Sequence, residues 1–383
     1  MTKTVLLYSD THDCCGVGFF NAALLEGLVN AGYRVVYAKL HEQSPLQFRL
    51  QQIGVEYRWL DYSPNDDLQR FSLDQGMPLR VFTDIRPDLI FFAKGAPTVL
   101  FGAIEAARAL FIPYIIREGA AYDVLLPPTN ETAFIQSLQR QYDQAVAVIC
   151  VSRHNLDALR DGLSISADIG TILPSSADKR FYKPVNPDTR NHLRQTWGIP
   201  EDGIVCFTSA QLEICKGHGV QVTAMHMLKD RPEWERLHFV WAGEGSQRER
   251  IIKVLDRLGL ADRVRFLGQV WNVDELLDAA DIFVLTSVME GMGRACPEAM
   301  AKGLPVIATR VGGIPEAVGE HAVLLSPPTD VKATAAELVN ALVEWVNDDE
   351  GRKKFGEAGK NAQAMKFFEP EIIGKYLEVI ANI

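Results

Sequence analysis

The chain has 383 residues, 47% of them hydrophobic and 23% charged, with a formal net charge of −10. That length exceeds one ordinary core and predicts two domains of about 200 residues or fewer each, and the composition excludes a disordered chain. The acidic balance excludes a general nucleic-acid binder, which needs a basic surface to displace counterions, and it lends no support to strong overall attraction to an anionic membrane.

In chain order, the apolar run Val5–Tyr8 reads as the first buried strand, and Ser9 and Asp10 cut it far short of a signal-peptide core. A helix over Phe20–Asn30 follows, then strands over Arg34–Ala38, Leu89–Ala93, Tyr114–Ile116 and Val146–Val151, with a helix over Thr98–Leu110 between them. The most apolar region, Leu89 to Ile116, is broken by Lys94, Glu105 and Arg108, so no stretch reaches the roughly 18 apolar residues of a membrane span. A second alternation begins after Pro184 and Pro187. Its strands are Ile204–Ser209, His238–Ala242, Val264–Leu267, Ile282–Thr286 and Pro305–Thr309; its helices are near Val220–Lys229, Gln247–Leu258, Val273–Ala280 and Cys296–Lys302. Apolar runs alternating with amphipathic stretches are the mark of βα units and a parallel sheet, so two parallel-sheet α/β domains in tandem are expected, with Lys183–Asp188 as the linker. A helix near Ala333–Asn347 is followed by Phe367-Phe368 and a last amphipathic piece, Glu371–Ile383. In that piece Ile372, Ile373, Tyr376, Leu377 and Ile380 have helical spacing. Spacing alone does not say which domain it covers.

The cysteines Cys14, Cys15, Cys150, Cys206, Cys215 and Cys296 form no C-x-x-C pair and no cluster at metal spacing, and they read as reduced thiols. The expectation is a cytoplasmic protein with no transmembrane segment; peripheral membrane association stays open.

The segment richest in chemistry is Thr286-Ser-Val-Met-Glu290-Gly-Met-Gly-Arg294-Ala-Cys-Pro-Glu298, continuing to Gly312-Gly313. A buried strand ends, a glycine-bearing loop follows, and a helix starts near Pro297. Ligands of open α/β sheets bind beyond the carboxyl ends of strands, and a helix start after a glycine loop offers N–H groups and a positive dipole end to oxygen ligands. Glu290 and Glu298 are placed to accept from sugar hydroxyls. The competing reading is a plain loop and a glutamate that favours the helix dipole.

This stretch resembles the E-x7-E region of the retaining glycosyltransferases of family 4, which have the GT-B fold of two Rossmann-like parallel-sheet domains facing a cleft. Trp241-Ala-Gly243-Glu-Gly245 resembles the family's Gly-x-Gly turn, Arg263–Gly268 the segment before its base-binding turn, and Asp281–Ser287 the strand before E-x7-E. The resemblance implies an acceptor-binding domain over residues 1–183 and a nucleotide-sugar donor domain over 184–367, with residues 368–383 crossing back to the first. It implies that Glu290 contacts the donor hexose near its 3-hydroxyl, that the backbone of Gly291, Met292, Gly293 and Arg294 lines the same subsite, and that Glu298 holds the ribose hydroxyls. Main-chain groups of Val270, within Gln269–Trp271, would meet the base; for Trp271 itself ordinary hydrophobic cover is the preferred reading. Lys216 stands where the family directs a lysine at the pyrophosphate. Gln211 replaces the family's arginine there, and a neutral amide cannot neutralise the diphosphate as a guanidinium would.

In the first half the likeness is looser. Gly16, in Cys15-Gly16-Val17-Gly18, would let the backbone approach the donor phosphate, with an ordinary tight turn as the alternative; the third glycine of a dinucleotide fingerprint is missing. Glu118 stands where many relatives place a histidine near the scissile bond, the alternative being an ion pair with Arg117 or another neighbouring base. Val151-Ser152-Arg153 matches a family turn, and His12 is either a proton-handling or a structural residue. The implied activity is metal-independent, cofactor-free transfer of a hexose from a nucleoside diphosphate sugar, UDP-glucose first and GDP-mannose second, to an unidentified acceptor in polysaccharide or glycoconjugate biosynthesis. Lys216, glycine loops and helix N-termini would stabilise the leaving diphosphate. The rival readings are an epimerase or phosphorylase on the same fold, and a non-catalytic sugar-nucleotide binder.

Overall fold

A computed structural model of the protein describes residues 2–9, 11, 13, 15–40, 44–60, 73–120 and 132–383. The chain forms two compact units: Met1–Ser176 together with Glu369–Ile383, and Ala177–Phe368.

The described strands of the first unit are β1 (Thr4–Ser9), β2 (Arg34–Leu40), β3 (Glu56–Leu60), β4 (Leu89–Lys94), β5 (Tyr114–Glu118), β6 (Ala147–Cys150) and β7 (Thr171–Ile172). They form one sheet in the order β3-β2-β1-β4-β5-β6-β7, paired parallel throughout. Every residue of β1 and β4 is buried, as expected of a parallel sheet covered on both faces. Tyr8 packs on Phe82 and Phe92, with ring centroids 5.6 and 5.9 Å away. The terminal helix Glu369–Ala381 belongs to this unit, as its apolar spacing requires of a helix that must bury one face. Its Tyr376 ring lies 4.8 Å from Phe20, and its hydroxyl donates to the Leu173 carbonyl at 2.8 Å.

The second unit contains β8 (Ile204–Ser209), β9 (Leu237–Ala242), β10 (Val264–Gly268), β11 (Ile282–Leu285), β12 (Val306–Thr309) and β13 (Ala322–Leu325). Their order is β10-β9-β8-β11-β12-β13, again all parallel. Both sheets therefore have a doubly wound order that reverses beside the first strand, between β1 and β4 and between β8 and β11. Ligands of open parallel sheets bind beyond the strand ends at such a switch point.

The chain enters the second unit after Ser176, earlier than the expected boundary after Lys183. Phe181 is buried in the second core, and the Tyr182 hydroxyl donates to the Ala364 carbonyl at 2.7 Å. The expected linker Lys183–Asp188 instead starts a helix: Asn186 caps Pro187–Trp197, with Pro187 in its first turn. Among the described residues no helix is long and apolar enough to cross a membrane.

Candidate functional site

Two loops at the β8/β11 switch point build the centre of the site. After β8 the chain runs against the turn that follows β9: Ala210 N–H donates to the Ala242 carbonyl at 3.0 Å and Leu212 N–H to that of Glu244 at 2.9 Å. Gln211, between them, is exposed. The short 3-10 turn Ile214–Lys216 then ends on Gly217, whose φ is +65°. A Cβ at Gly217 would lie 1.8 Å from the Thr286 carbonyl oxygen, so only glycine allows this approach. Thr286 Oγ1 donates to the Gly217 carbonyl at 3.0 Å, and Val288 N–H to that of Cys215 at 2.8 Å. The β8 loop is thereby sewn to the end of β11, and this delivers Lys216 to Glu290: Nζ and Oε1 are 2.6 Å apart. Ser287 Oγ donates to the same carboxylate oxygen at 2.8 Å.

The Glu290 loop is backed by the chain after β12. Gly312 has a φ of +54°, and a Cβ there would come within 1.7 Å of the Glu290 carbonyl oxygen. Gly313 N–H donates to the Gly291 carbonyl at 3.1 Å, and Thr309 Oγ1 to that of Ser287 at 2.6 Å. Met292 is buried, and Gly293 and Arg294 lead into the helix Ala295–Ala301. Glu298 lies in its first turn, where a carboxylate suits the helix dipole, and pairs with Arg294 at 3.1 Å. Burial pushes the Glu298 carboxyl above its usual range, against the opposing charges of Arg294 and then Arg180.

The turn expected at the base lies after β10, whose pairing with β9 slips register between Phe266 and Gly268. Gln269 is exposed, and Val270 and Trp271 are half-buried, with Val270 packed against the second core. The Trp271 carbonyl accepts from Arg180 Nη1 at 2.9 Å. Arg180 and Ser287 were not among the residues singled out from sequence. Ser287 precedes Glu290 closely enough for local inspection to find it, whereas Arg180 lies 91 residues from its partner and carries no spacing signal.

The remaining candidates belong to the first unit. Gly16 is the first residue of the helix Gly16–Asn30, and Ser152 caps Arg153–Leu163 by accepting from Asn155 N–H at 3.2 Å. His12 lies outside the described residues. Glu118 is fully buried at the end of β5, and its Oε2 accepts from the Tyr142 hydroxyl at 2.7 Å and lies 3.9 Å from Lys94 Nζ. Lys94, equally buried on the neighbouring β4, also donates to the Pro97 carbonyl at 2.6 Å. Alternation along the strand sends Arg117 to the opposite face, where it covers Phe20 and donates to Ser175 Oγ at 2.6 Å. The basic side chain nearest to Glu118 is thus Lys94 rather than Arg117. Among the described residues no group of three or more His, Cys, Asp or Glu side chains converges to hold a metal ion.

Residues 189–362, all inside the second unit, match the family described as Glycosyl transferases group 1. The mannosylfructose-phosphate synthase of Agrobacterium fabrum is 34% identical over 197 residues, 49% of this chain and 43% of that protein. The putative teichuronic acid biosynthesis glycosyltransferase TuaC of Bacillus subtilis is 29% identical over 291 residues, 74% of this chain and 70% of that protein. The match thus spans less than half of the first relative's length. The crystal structure of Anabaena Alr3699/HepE in complex with UDP-glucose has the same fold, with a TM-score of 0.82 at 19% identity over 99% of this chain and 100% of that one.

Proposed function

We propose that this chain, whose residues 189–362 match the group 1 glycosyltransferases, transfers a hexose from a nucleoside diphosphate sugar to an acceptor hydroxyl with retention of anomeric configuration. The bond from the anomeric carbon to the diphosphate breaks with its electron pair going to the diphosphate oxygen, and one to the acceptor oxygen forms as the hydroxyl gives up its proton to the departing diphosphate or to solvent. The observation that carries the reading is the 2.6 Å approach of Lys216 to Glu290 at the β8/β11 switch point. One side chain suits a departing diphosphate and the other a sugar hydroxyl, and two separately folded loops bring them together. Charge growing on the leaving group would be met by Lys216 and by the amides of the Gly291–Arg294 segment, in place by folding and needing no divalent ion. Glu298 would hold the ribose, and the main chain at Val270 the base.

UDP-glucose is the donor we favour, the ligand of the Anabaena protein of the same fold. A mannosyl donor, GDP-mannose, is the second reading, favoured by the name of the Agrobacterium relative. Polysaccharide or glycoconjugate assembly is the role we favour, in line with the name of the Bacillus relative. The free thiols of Cys150, Cys206, Cys215 and Cys296 fit a reducing, cytoplasmic setting.

Incubation with a panel of nucleotide sugars tests the reading. Release of nucleoside diphosphate from one donor, with the product's anomeric configuration matching the donor's by NMR, supports it. Tight donor binding with no release from any panel member, across a range of acceptors, would make the chain a binder rather than a transferase.

A further inference from the structure

Arg180 has no place in the chemistry proposed above, yet the nucleoside end of the site converges on it. It lies in the 3-10 turn Lys179–Tyr182, beside the buried Phe181, whose ring centre is 5.3 Å from its guanidinium carbon. Nη1 donates to the Trp271 carbonyl at 2.9 Å and lies 3.4 Å from Asp274 Oδ1, while Nε lies 3.5 Å from Asp178 Oδ2. One guanidinium thus grips a backbone carbonyl and two carboxylates, a task for a planar fork that an ammonium point charge cannot reproduce. The gripped segment needs holding: β10 has lost register by Gly268, and Gln269 and Asn272 on either side are exposed. Arg180 also acts on Glu298, opposing the effect of burial on that carboxyl.

We infer that Arg180 is a positioning residue that fixes the Gln269–Trp271 turn with respect to Glu298, and so sets how sharply the site discriminates between donor bases. This rests on the reading of that turn as base-binding and of Glu298 as ribose-binding. Main-chain groups distinguish bases only if the peptide that carries them is held in one orientation. The Trp271 carbonyl, next in the chain to Val270, is the handle by which Arg180 holds it. The diphosphate end is built from other contacts, with Lys216 held by Glu290.

The test is calorimetric binding of UDP, GDP, ADP and inorganic pyrophosphate to the full chain, as wild type, Arg180→Met and Arg180→Lys. Arg180→Met is expected to weaken the preferred nucleoside diphosphate by about tenfold or more and to draw its advantage over the other two toward unity. Pyrophosphate affinity should stay within about twofold, since its partners are elsewhere. Arg180→Lys should recover part of both losses. Equal weakening of all four ligands, or an unchanged ratio among the nucleoside diphosphates, overturns the inference. Should Arg180→Met fail to fold, Arg180→Lys against wild type carries the same comparison. A wild-type protein that binds pyrophosphate but no nucleoside diphosphate would defeat the donor-site reading itself, a result visible before any variant is made.

Discussion

Lys216 and Glu290 hold each other at 2.6 Å, although 74 residues separate them and each leaves a different strand. The contact follows from the sheet order. β8 and β11 are neighbours, with Ile282 opposite Cys206 and Phe283 opposite Phe207, so the loops that leave their ends meet. A cation and a carboxylate that satisfy one another need no core packing to stay in place, and both can turn to a ligand that offers each a better partner.

From this pair we expect Lys216→Ala to lower the turnover rate more than it weakens donor binding, because charge on the diphosphate grows toward the transition state. Glu290→Gln should cost about 1.5–3 kcal/mol of transition-state stabilisation, the range for a charge-assisted hydrogen bond. Gln211→Ala, removing an exposed neutral amide, should cost about 1 kcal/mol or less. Melting temperatures should barely move in the three proteins, as these side chains lie on loops. Steady-state kinetics with one donor decide the matter, and equal small losses at Lys216 and Gln211 would point to Arg294 as the group that meets the diphosphate.

Activity should survive EDTA and gain little from added Mg²⁺ or Mn²⁺, since Lys216 and the helix starts supply the positive potential. An absolute requirement for a divalent ion would overturn the metal-free mechanism.

The buried pair of Lys94 and Glu118 predicts a stability effect. Glu118→Gln takes the Glu118 charge away from the Lys94 ammonium in a fully buried position. Breaking one side of such a pair typically costs about 3–5 kcal/mol. Urea unfolding should report that loss, and the joint change with Lys94→Met should cost less than the single one. Native-like stability in Glu118→Gln, coupled with a collapse of turnover, would place Glu118 in the chemistry.

These residues mark where sequence reading succeeds and where it stops. Strands buried on both faces, such as β1, β4, β8 and β11, appear as continuous apolar runs. β3 escaped notice because its exposed Glu56 and Arg58 interrupt the run, and β7 is only two residues long. Pro184 and Pro187 suggest a linker in the sequence, whereas in the folded chain Pro187 begins a helix behind the Asn186 cap. The sequence places Lys216 and Glu290 each in a glycine-bearing loop after a strand, but not their contact, since it depends on strand order. The partner of Glu118 stayed hidden for the same reason: β4 and β5 pair Lys94 with Glu118 across a sheet whose register the sequence does not spell out.

A last expectation concerns acid. His218 opens the helix His218–Leu228 directly after Lys216-Gly217, buried edge-on against Trp241 with ring centroids 4.9 Å apart. Among the described residues neither ring nitrogen has a hydrogen-bond partner. Burial, with the Lys216 charge beside it, pushes the imidazole down to about 4. The folded protein thus excludes a proton that the unfolded chain accepts below about 6.5. Stability should be unaffected by this residue above that value and should fall as the pH drops from there to about 4, where the folded form protonates too. The full penalty is at most about 3 kcal/mol. His238, half-buried and also shifted down, acts in the same direction, so the contribution of His218 must be read as a difference. His218→Phe keeps an aromatic ring against Trp241 and removes the titration. Its unfolding free energy should match or exceed that of the wild type at pH 7, because the replaced nitrogens made no hydrogen bond, and the gap should widen in its favour toward pH 4.5. Urea melts of both proteins between pH 4.5 and 8 measure this, and parallel curves across that range would show that His218 does not carry the acid sensitivity.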